Sequence, residues 1–217
     1  MLFCIVPFSS YIMEYRTVKK EAADEYIVKK SRFIGYACPV QTADEALAFI
    51  SKIKSKHWDA THNVYAYILR NGGIKRYSDD GEPQGTAGIP TLDVLEKENV
   101  TDVAVVVTRY FGGILLGGGG LVRAYSHSAK IALDAANIIT MSLCVIGEIT
   151  CDYGFYGKLP SFVPENGGRI IDTVYEDNVK VILSLPKNLA EKFNEKLIDT
   201  SNGRYSFNIT SEEYMEI

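Results

Sequence analysis

Three carboxylates gather in one short loop of the sequence, residues 78–90, which reads SDDGEPQGTAGIP. The side chains of Asp79, Asp80 and Glu82 could bind a hard cation such as magnesium, form a general acid–base pair, or neutralise nearby basic residues. The glycines and prolines of the loop permit it to hold one specific backbone shape. The loop is therefore a candidate functional site, with a solvated turn as the alternative.

A second glycine-rich segment, residues 108–123, reads TRYFGGILLGGGGLVR and predicts a strand end, a loop and a helix with Tyr125 on its packing face. The first amides of a helix and its dipole favour anions, and Arg109 and Arg123 would add guanidinium groups. The segment lacks the Gly-Lys-Ser/Thr ending of a Walker A loop, and its spacing does not fit GxGxxG. An anion-binding pocket and a purely structural glycine loop both fit the pattern.

No metal centre, cofactor site or nucleophile arrangement is predicted. The four cysteines lie far apart without a CxxC pair, and the three histidines form no HExxH-like cluster. Ser126, His127 and Ser128 are consecutive on a predicted helix, so their side chains point in different directions. His62 precedes a strand and could face the acidic loop, or it could be a hydrogen-bonded structural histidine.

The charge distribution argues against a non-specific nucleic-acid binder. The net charge is −4, with 16 basic against 15 acidic residues in 13–140 and 7 against 12 from residue 141 onward. Non-specific nucleic-acid binders usually carry a basic excess, because contacts with phosphates supply most of their affinity. RNA contact would need a local patch, for which the candidates are Lys52, Lys54, Lys56, Arg70, Lys75 and Arg76.

The elements that must position these residues are predicted from hydrophobic periodicity and capping signals. Thr42-Ala-Asp-Glu45 is a capping box that begins a helix ending near Lys56, and His57 and Trp58 are expected to pack its end against the core. The apolar run DVAVVVT at residues 102–108 is typical of a strand covered on both faces. Further strands and helices are predicted at residues 25–40, 62–69, 90–98 and 121–136. Together they predict a two-layer α/β sandwich.

Beyond a boundary near Thr140, the sequence predicts strand, helix, strand, strand, helix and strand in turn. These elements are expected at residues 142–151, 153–164, 169–175, 179–185, 186–199 and 204–210. The order is that of a ferredoxin-like βαββαβ domain over residues 141–217. Residues 1–12 are apolar and uncharged and are expected to be an extra N-terminal segment. No segment reaches transmembrane length, so we expect a cytoplasmic protein without a membrane partner.

Several motifs resemble the signature of the YigZ/IMPACT family. They are Lys30-Ser-Arg-Phe33, Ala60-Thr-His-Asn63, Asp79-Asp-Gly-Glu-Pro-Gln-Gly-Thr-Ala-Gly88, Thr108-Arg-Tyr-Phe-Gly-Gly113 and Gly119-Gly-Leu-Val-Arg-Ala-Tyr125. The resemblance extends from Met13 to the C-terminus, and the long acidic motif is highly specific. The family usually has a lysine in its Gly-Gly-Ile-Lys-Leu-Gly stretch, where this chain has Leu115.

The resemblance implies an α+β protein with two domains. Residues 13–140 would have the fold of the second domain of ribosomal protein S5, and the ferredoxin-like domain would be similar to the C-terminal domain of elongation factor G. Eukaryotic relatives regulate translation by competing for the activator of a starvation-responsive initiation-factor kinase. By analogy, the two folds suggest contact with RNA or the ribosome.

Two functions stay open at this point. A translation-associated regulatory or binding protein without catalysis would contact RNA, the ribosome or a protein partner. Alternatively, an enzyme or a binder of a small anionic ligand would use a cleft between the acidic loop and the TRYFGG/glycine-rich loop, where acidic side chains would pair with Arg109 or Arg123. The expected ligand-binding residues are His62, Asp79, Asp80, Glu82, Thr86, Arg109, Tyr110, Gly112, Gly113 and Arg123.

Overall fold

The computed structural model describes residues 13–216, and the segment predicted at residues 1–12 lies outside the described residues. The chain forms two compact units. One comprises residues 15–140, and the other comprises residues 13–14 together with 141–216 of the described part. Each unit combines strands with helices, so the predicted α+β class is confirmed.

The first unit is built around a five-stranded antiparallel sheet. Up to residue 135 the elements are β1 (Glu14–Val18), β2 (Ala22–Val28), β3 (Ser31–Pro39), α1 (Ala43–Lys56), β4 (His62–Leu69), β5 (Ile74–Ser78), α2 (Gly88–Lys97), β6 (Val103–Tyr110) and α3 (Gly118–Ala135). The sheet has the order β2-β3-β6-β4-β5, and every neighbouring pair is antiparallel. The strand that carries the apolar run, β6, therefore lies at its centre.

Helices cover both faces of this sheet. On one face, Leu95 of α2 and Leu133 of α3 join Val105 of β6 in a single core. On the other face, Ile53 of α1 packs in a core with Val106 of β6. Successive side chains of a strand point to opposite faces, so the valines of β6 need cover on both sides. The unit has three layers, and the prediction of two layers is wrong.

The start of α1 agrees with its capping signal, but its end differs from the prediction. The Thr42 hydroxyl accepts a hydrogen bond from the Glu45 amide at 3.2 Å, as a capping box requires. His57 follows the last turn and is buried, as predicted. Trp58 does not pack against the core, because the chain turns directly after α1 and leaves this side chain 84% exposed.

The second unit has the predicted ferredoxin-like order. Its elements are β7 (Ile138–Cys151), α4 (Tyr153–Tyr156), α5 (Leu159–Glu165), β8 (Arg169–Tyr175), β9 (Val179–Pro186), α6 (Ala190–Thr200) and β10 (Asn208–Glu216). The strands pair antiparallel in the order β10-β7-β9-β8. The single helix predicted at residues 153–164 is two short helices, because Pro160 has no amide hydrogen with which to continue α4. No helix within residues 13–216 combines the length and apolar character needed to cross a bilayer.

Gly35 on β3 determines how closely α3 packs on the sheet. A Cβ atom at this position would lie 2.2 Å from the backbone oxygen of Ser128. We expect Gly35→Ala to lower the free energy of unfolding by about 1–3 kcal/mol, because α3 would have to move off the sheet. Gly119→Ala is the matched control, since a Cβ there would meet no atom within 4 Å. Urea denaturation measures both variants, and an equal loss in the two would contradict this role of Gly35.

Candidate functional site

Asp79 holds the acidic loop onto the start of α2. Its Oδ1 accepts hydrogen bonds from the amides of Gly88 at 2.7 Å and Ala87 at 3.1 Å, and its Oδ2 accepts one from the amide of Gly85 at 2.9 Å. A carboxylate at this position also interacts favourably with the helix dipole. Asp79 therefore acts as the cap of α2.

Asp80 ties the same loop to α1 and β4. Its Oδ1 accepts a hydrogen bond from Lys54 Nζ at 2.6 Å, and its Oδ2 accepts one from the Asn63 amide at 2.6 Å. Its backbone oxygen accepts a hydrogen bond from Nδ1 of His62 at 2.8 Å. Because a carbonyl can only accept, Nδ1 carries a hydrogen and Nε2 is the ring nitrogen that is left for other contacts.

Glu82 is the buried centre of the site. Its Oε1 accepts hydrogen bonds from Arg109 Nη1 at 2.5 Å and from the Tyr125 hydroxyl at 2.7 Å, and it lies 3.8 Å from Nε2 of His62. Glu82 and Arg109 are only 7% and 5% exposed. Of the acid–arginine pairs that the sequence suggested, the structure contains this one. Within residues 13–216, no three potential ligands are grouped so that they could hold a metal ion.

The Arg109 side chain is surrounded by the neighbouring strands and by aromatic rings. Phe33 of β3 and His62 of β4 lie directly opposite it in the sheet register. Its guanidinium carbon is 5.5 Å from the ring centre of Phe33 and 5.4 Å from that of Phe111. The rings attract the cation, but Nε has no hydrogen-bond partner among the described residues. Glu82 is therefore the carboxylate that compensates this buried charge.

Tyr125 of α3 completes the buried cluster. Burial and the nearby Glu82 carboxylate raise the pKa of its phenol well above the ordinary value, so the phenol stays protonated and donates to Glu82. Its ring packs edge to face on Phe33, with ring centres 5.2 Å apart. Helical spacing predicted Tyr125 as a packing residue only, and this contact was not predicted. The available signal was a hydroxyl on a buried helix face, which requires a polar partner.

Tyr110 lies on the opposite face of the sheet from Arg109, because the two residues are consecutive in β6. Its hydroxyl donates a hydrogen bond to Asp59 at 3.0 Å and accepts one from Nδ1 of His57 at 2.9 Å. Nε2 of His57 in turn accepts a hydrogen bond from the Tyr36 hydroxyl at 2.7 Å. The structure therefore separates Tyr110 from the Glu82 cluster and places it beside the end of α1.

Glycine is needed at the two positions after Phe111 for different structural reasons. A Cβ at Gly112 would lie 2.0 Å from the carbonyl carbon of Lys30, so glycine is required where this loop crosses the β2–β3 turn. Gly113 has a φ of 80°, in the left-handed region that favours glycine. Both positions serve the path of the backbone.

Thr86 and Arg123 are further from the buried cluster. The Thr86 hydroxyl donates a hydrogen bond to the Pro83 carbonyl at 2.7 Å within the acidic loop. Arg123 is exposed on α3, which begins at Gly118, three residues before the predicted start. No ion pair joins Arg123 to any of the described residues. Thr86 closes a turn of the loop, whereas Arg123 presents a charge to solvent.

The six basic residues proposed for RNA contact do not form one cationic surface. Four of them are paired with carboxylates: Lys52 with Glu21, Lys54 with Asp80, Arg70 with Asp102, and Lys75 with Glu96. Lys75 and Arg76 are consecutive in β5, so their side chains lie on opposite faces of the sheet. Most of the positive charge of this set is therefore neutralised within the first unit.

The comparisons with known proteins agree on one family. Residues 29–133 match the Impact N-terminal domain, and residues 149–204 match the Domain of unknown function (DUF1949). The chain is 39% identical over 203 residues to the IMPACT family member YvyE of Bacillus subtilis (strain 168), with 93% of this chain and 94% of the relative covered. The chain belongs to the IMPACT family.

Other relatives support this assignment. The IMPACT family member YigZ of Escherichia coli (strain K12) is 35% identical over 181 residues, which cover 81% of this chain and 88% of the relative. The Protein IMPACT homolog of Dictyostelium discoideum is 39% identical over 115 residues, 51% of this chain and 32% of that protein. A solved structure titled "Crystal structure of an hypothetical protein" covers 93% of this chain and 100% of its own, with a TM-score of 0.58 and 31% identity. The resemblance to the YigZ/IMPACT family is confirmed.

The losses of stability on replacing the two members of the Glu82–Arg109 pair should not be additive. We expect Arg109→Met to lower the free energy of unfolding by about 3–5 kcal/mol, because Glu82 would be left buried without a cation. The double variant with Glu82→Gln should lose less than the sum of the two single losses. Urea denaturation of the four proteins measures the coupling.

The exposed pair of Glu25 and Arg32 is the matched control for this cycle. Arg32 Nη2 and Glu25 Oε2 lie 2.6 Å apart, but the two side chains are 51% and 38% exposed, far more than Glu82 and Arg109. Arg32→Met with Glu25→Gln should therefore show coupling of only about 0–1 kcal/mol. Additive losses in the Glu82–Arg109 cycle would contradict the description of that pair as a buried ion pair.

The buried ring of His57 should make stability depend on pH. Burial, followed by the charges of Lys56 and Arg32, lowers the pKa of His57 in the folded protein. The unfolded chain keeps a value of about 6.5, so below that pH it binds more protons than the folded chain. The free energy of unfolding should therefore fall as the pH falls through this range, and His57→Gln should remove part of the slope. NMR titration of the ring protons checks the cause, and a His57 pKa at or above about 6.5 would contradict it.

Proposed function

We propose that this protein is a non-catalytic binding protein of the translation machinery, acts in the cytoplasm, and engages a protein partner on the ribosome. The connection to translation comes from the family resemblance described above. The choice of a protein partner rests on an open groove along α1. Two large apolar side chains, Leu47 and Trp58, line this groove and are exposed.

The groove has a volume of ≈ 500 Å³. Its lining residues are Leu47, Ile50, Ser51, Lys54, Ser55, Trp58 and Tyr65. Leu47 and Trp58 stand at its two ends and are 51% and 84% exposed. Between them, Ser51 and Ser55 follow Leu47 at steps of four residues, so they lie on the same stripe of the helix.

This arrangement suits an apolar anchor from another protein. The small side chains of Ser51 and Ser55 leave a notch between Leu47 and Trp58, into which a large apolar side chain can fit. Exposed tryptophan is enriched among the residues that dominate protein–protein binding energy. Lys56, beside Trp58, forms no ion pair with a carboxylate among the described residues. The partner segment we propose has an apolar anchor followed by acidic residues.

RNA is a weaker candidate for the partner. RNA contact would draw its affinity from phosphate neutralisation and would be strongly salt-dependent. Four of the six basic candidates already have carboxylate partners, so they offer little uncompensated charge. A groove with apolar ends binds through burial of surface, which salt weakens little.

The geometry gives little support to an enzyme or anion site between the acidic loop and the TRYFGG loop. Asp79 and Asp80 are engaged by backbone amides and by Lys54, and Glu82 is engaged by Arg109 and Tyr125. Carboxylates with such partners are poorly disposed to accept a ligand without breaking contacts that hold the fold. The acidic loop is better explained as a structural connection between elements.

Co-sedimentation with ribosomes tests the proposal. The purified full chain should pellet with ribosomes at both low and high salt. Trp58→Ser should weaken this association by about tenfold or more, because a large apolar anchor contact is lost. The same variant should keep its stability to within about 0.5 kcal/mol, since the side chain is exposed.

Leu115→Ser is the matched control, because Leu115 is 81% exposed but lies in the glycine-rich loop rather than on α1. It should bind ribosomes as the parent protein does. If the parent protein stays in the supernatant, the proposed function is wrong. If binding disappears at high salt and Trp58→Ser has no effect, the RNA alternative replaces it.

A further inference from the structure

A second, smaller cleft lies in the first unit between the end of β2 and the beginning of α3. It has a volume of ≈ 170 Å³. Its walls are mostly apolar, from Tyr26, Val28, Leu116 and Ala124. Two cations, Lys29 and Arg123, line it as well. None of the described residues that line the cleft is acidic.

The charges of Lys29 and Arg123 are uncompensated. Neither side chain forms an ion pair or a hydrogen bond with any of the described residues. This distinguishes them from Lys52, Lys54 and Lys75, each of which has a carboxylate partner. Two neighbouring positive charges without an internal partner attract an anion from solution.

The backbone at Lys29 is strained. Lys29 and Lys30 form the two-residue turn between β2 and β3, with φ values of 45° and 65°. Turns of this kind favour Asn-Gly, because residues with a Cβ rarely adopt positive φ. A lysine at position 29 therefore adopts a backbone conformation that costs free energy, and asparagine would reduce this cost. Such local strain occurs often at functional sites.

The start of α3 adds to the positive potential in the cleft. Gly120 lines the cleft, and α3 has no acidic residue in its first turn and no side-chain cap. The first amides of a helix lack partners within the helix, and the helix dipole is positive at this end. The amides and the dipole therefore favour an anion in the cleft, as the two cationic side chains do.

We infer that this cleft binds a small phosphomonoester with a compact apolar group. The two cations and the helix start would hold the phosphate, and the side chains of Tyr26, Val28 and Leu116 would contact the apolar group. The cleft is smaller than the roughly 300–1,000 Å³ typical of pockets for drug-sized ligands, which favours a small molecule over a nucleotide. The inference is independent of the α1 groove and of any ribosome contact.

Isothermal titration of the full chain with phenyl phosphate and with inorganic phosphate tests the inference. Phenyl phosphate should bind more tightly than inorganic phosphate, because its ring adds contacts with the apolar walls. Arg123→Gln should weaken both by about tenfold, since a charge-assisted hydrogen bond is lost. Arg76→Gln is the matched control, because Arg76 is an exposed arginine on β5 whose guanidinium contacts only a backbone oxygen, and it should leave both affinities unchanged.

Lys29→Asn separates loss of the ligand from loss of the fold. Asparagine adopts positive φ more readily than lysine, so this variant should have a higher Tm than the parent protein. It should nevertheless bind phenyl phosphate several-fold more weakly, because one charge is missing. Absence of binding by the parent protein would overturn the inference, as would equal losses in Arg123→Gln and Arg76→Gln. Equal affinity for the two phosphates would refute the proposed contact with the apolar walls.

Discussion

The ion pair between Glu82 and Arg109 joins the acidic loop to the central strand of the first sheet. Both groups are almost entirely removed from water, and each would be costly to bury alone. Because the phenol of Tyr125 donates to the same carboxylate oxygen, the pair also fixes the position of α3 relative to β6. Glu82 thus connects its own loop to Arg109, which lies 27 residues away in the sequence, and to Tyr125, which lies 43 residues away.

The three carboxylates of the acidic loop each serve a different connection. Asp79 caps α2, Asp80 reaches α1 and β4, and Glu82 reaches β6 and α3. A loop with this composition therefore holds together helices from both faces of the sheet. Its charge is directed inward, and the two surfaces proposed for binding lie elsewhere, on α1 and beside the start of α3.

Local signals in the sequence predicted the positions of helices and strands well, but they predicted less well what packs against each helix and strand. The capping box at Thr42 identified the start of α1, the valine run identified the buried strand β6, and the βαββαβ order identified the second fold. The exposure of Trp58 could not be predicted in this way, because it depends on the direction of the chain after α1 ends. Periodicity also shows that a face is apolar, but it does not show which helix covers it, and the third layer was missed for that reason.

Among the site residues, the sequence suggested that Asp79, Asp80 or Glu82 would pair with Arg109 or Arg123, and the structure contains the Glu82–Arg109 pair. The same reasoning could not single out Glu82 from Asp79 and Asp80, whose partners are mostly backbone amides. The separation of Tyr110 from Arg109 was predictable from strand alternation alone. The contact of Tyr125 required knowledge of how α3 lies on the sheet, which is a long-range property.

The position of Arg109 has a kinetic consequence. It stands between Phe33 of β3 and His62 of β4, so this part of β6 has a paired strand on each side and no free edge of its own. Amide protons of a strand that is paired on both sides exchange with solvent when a neighbouring strand separates from it, which requires more of the sheet to open than fraying of an edge strand does. The buried cluster is thus expected to open later than the edge strands, whereas the exposed side chains of Trp58 and Lys29 can move without disturbing it.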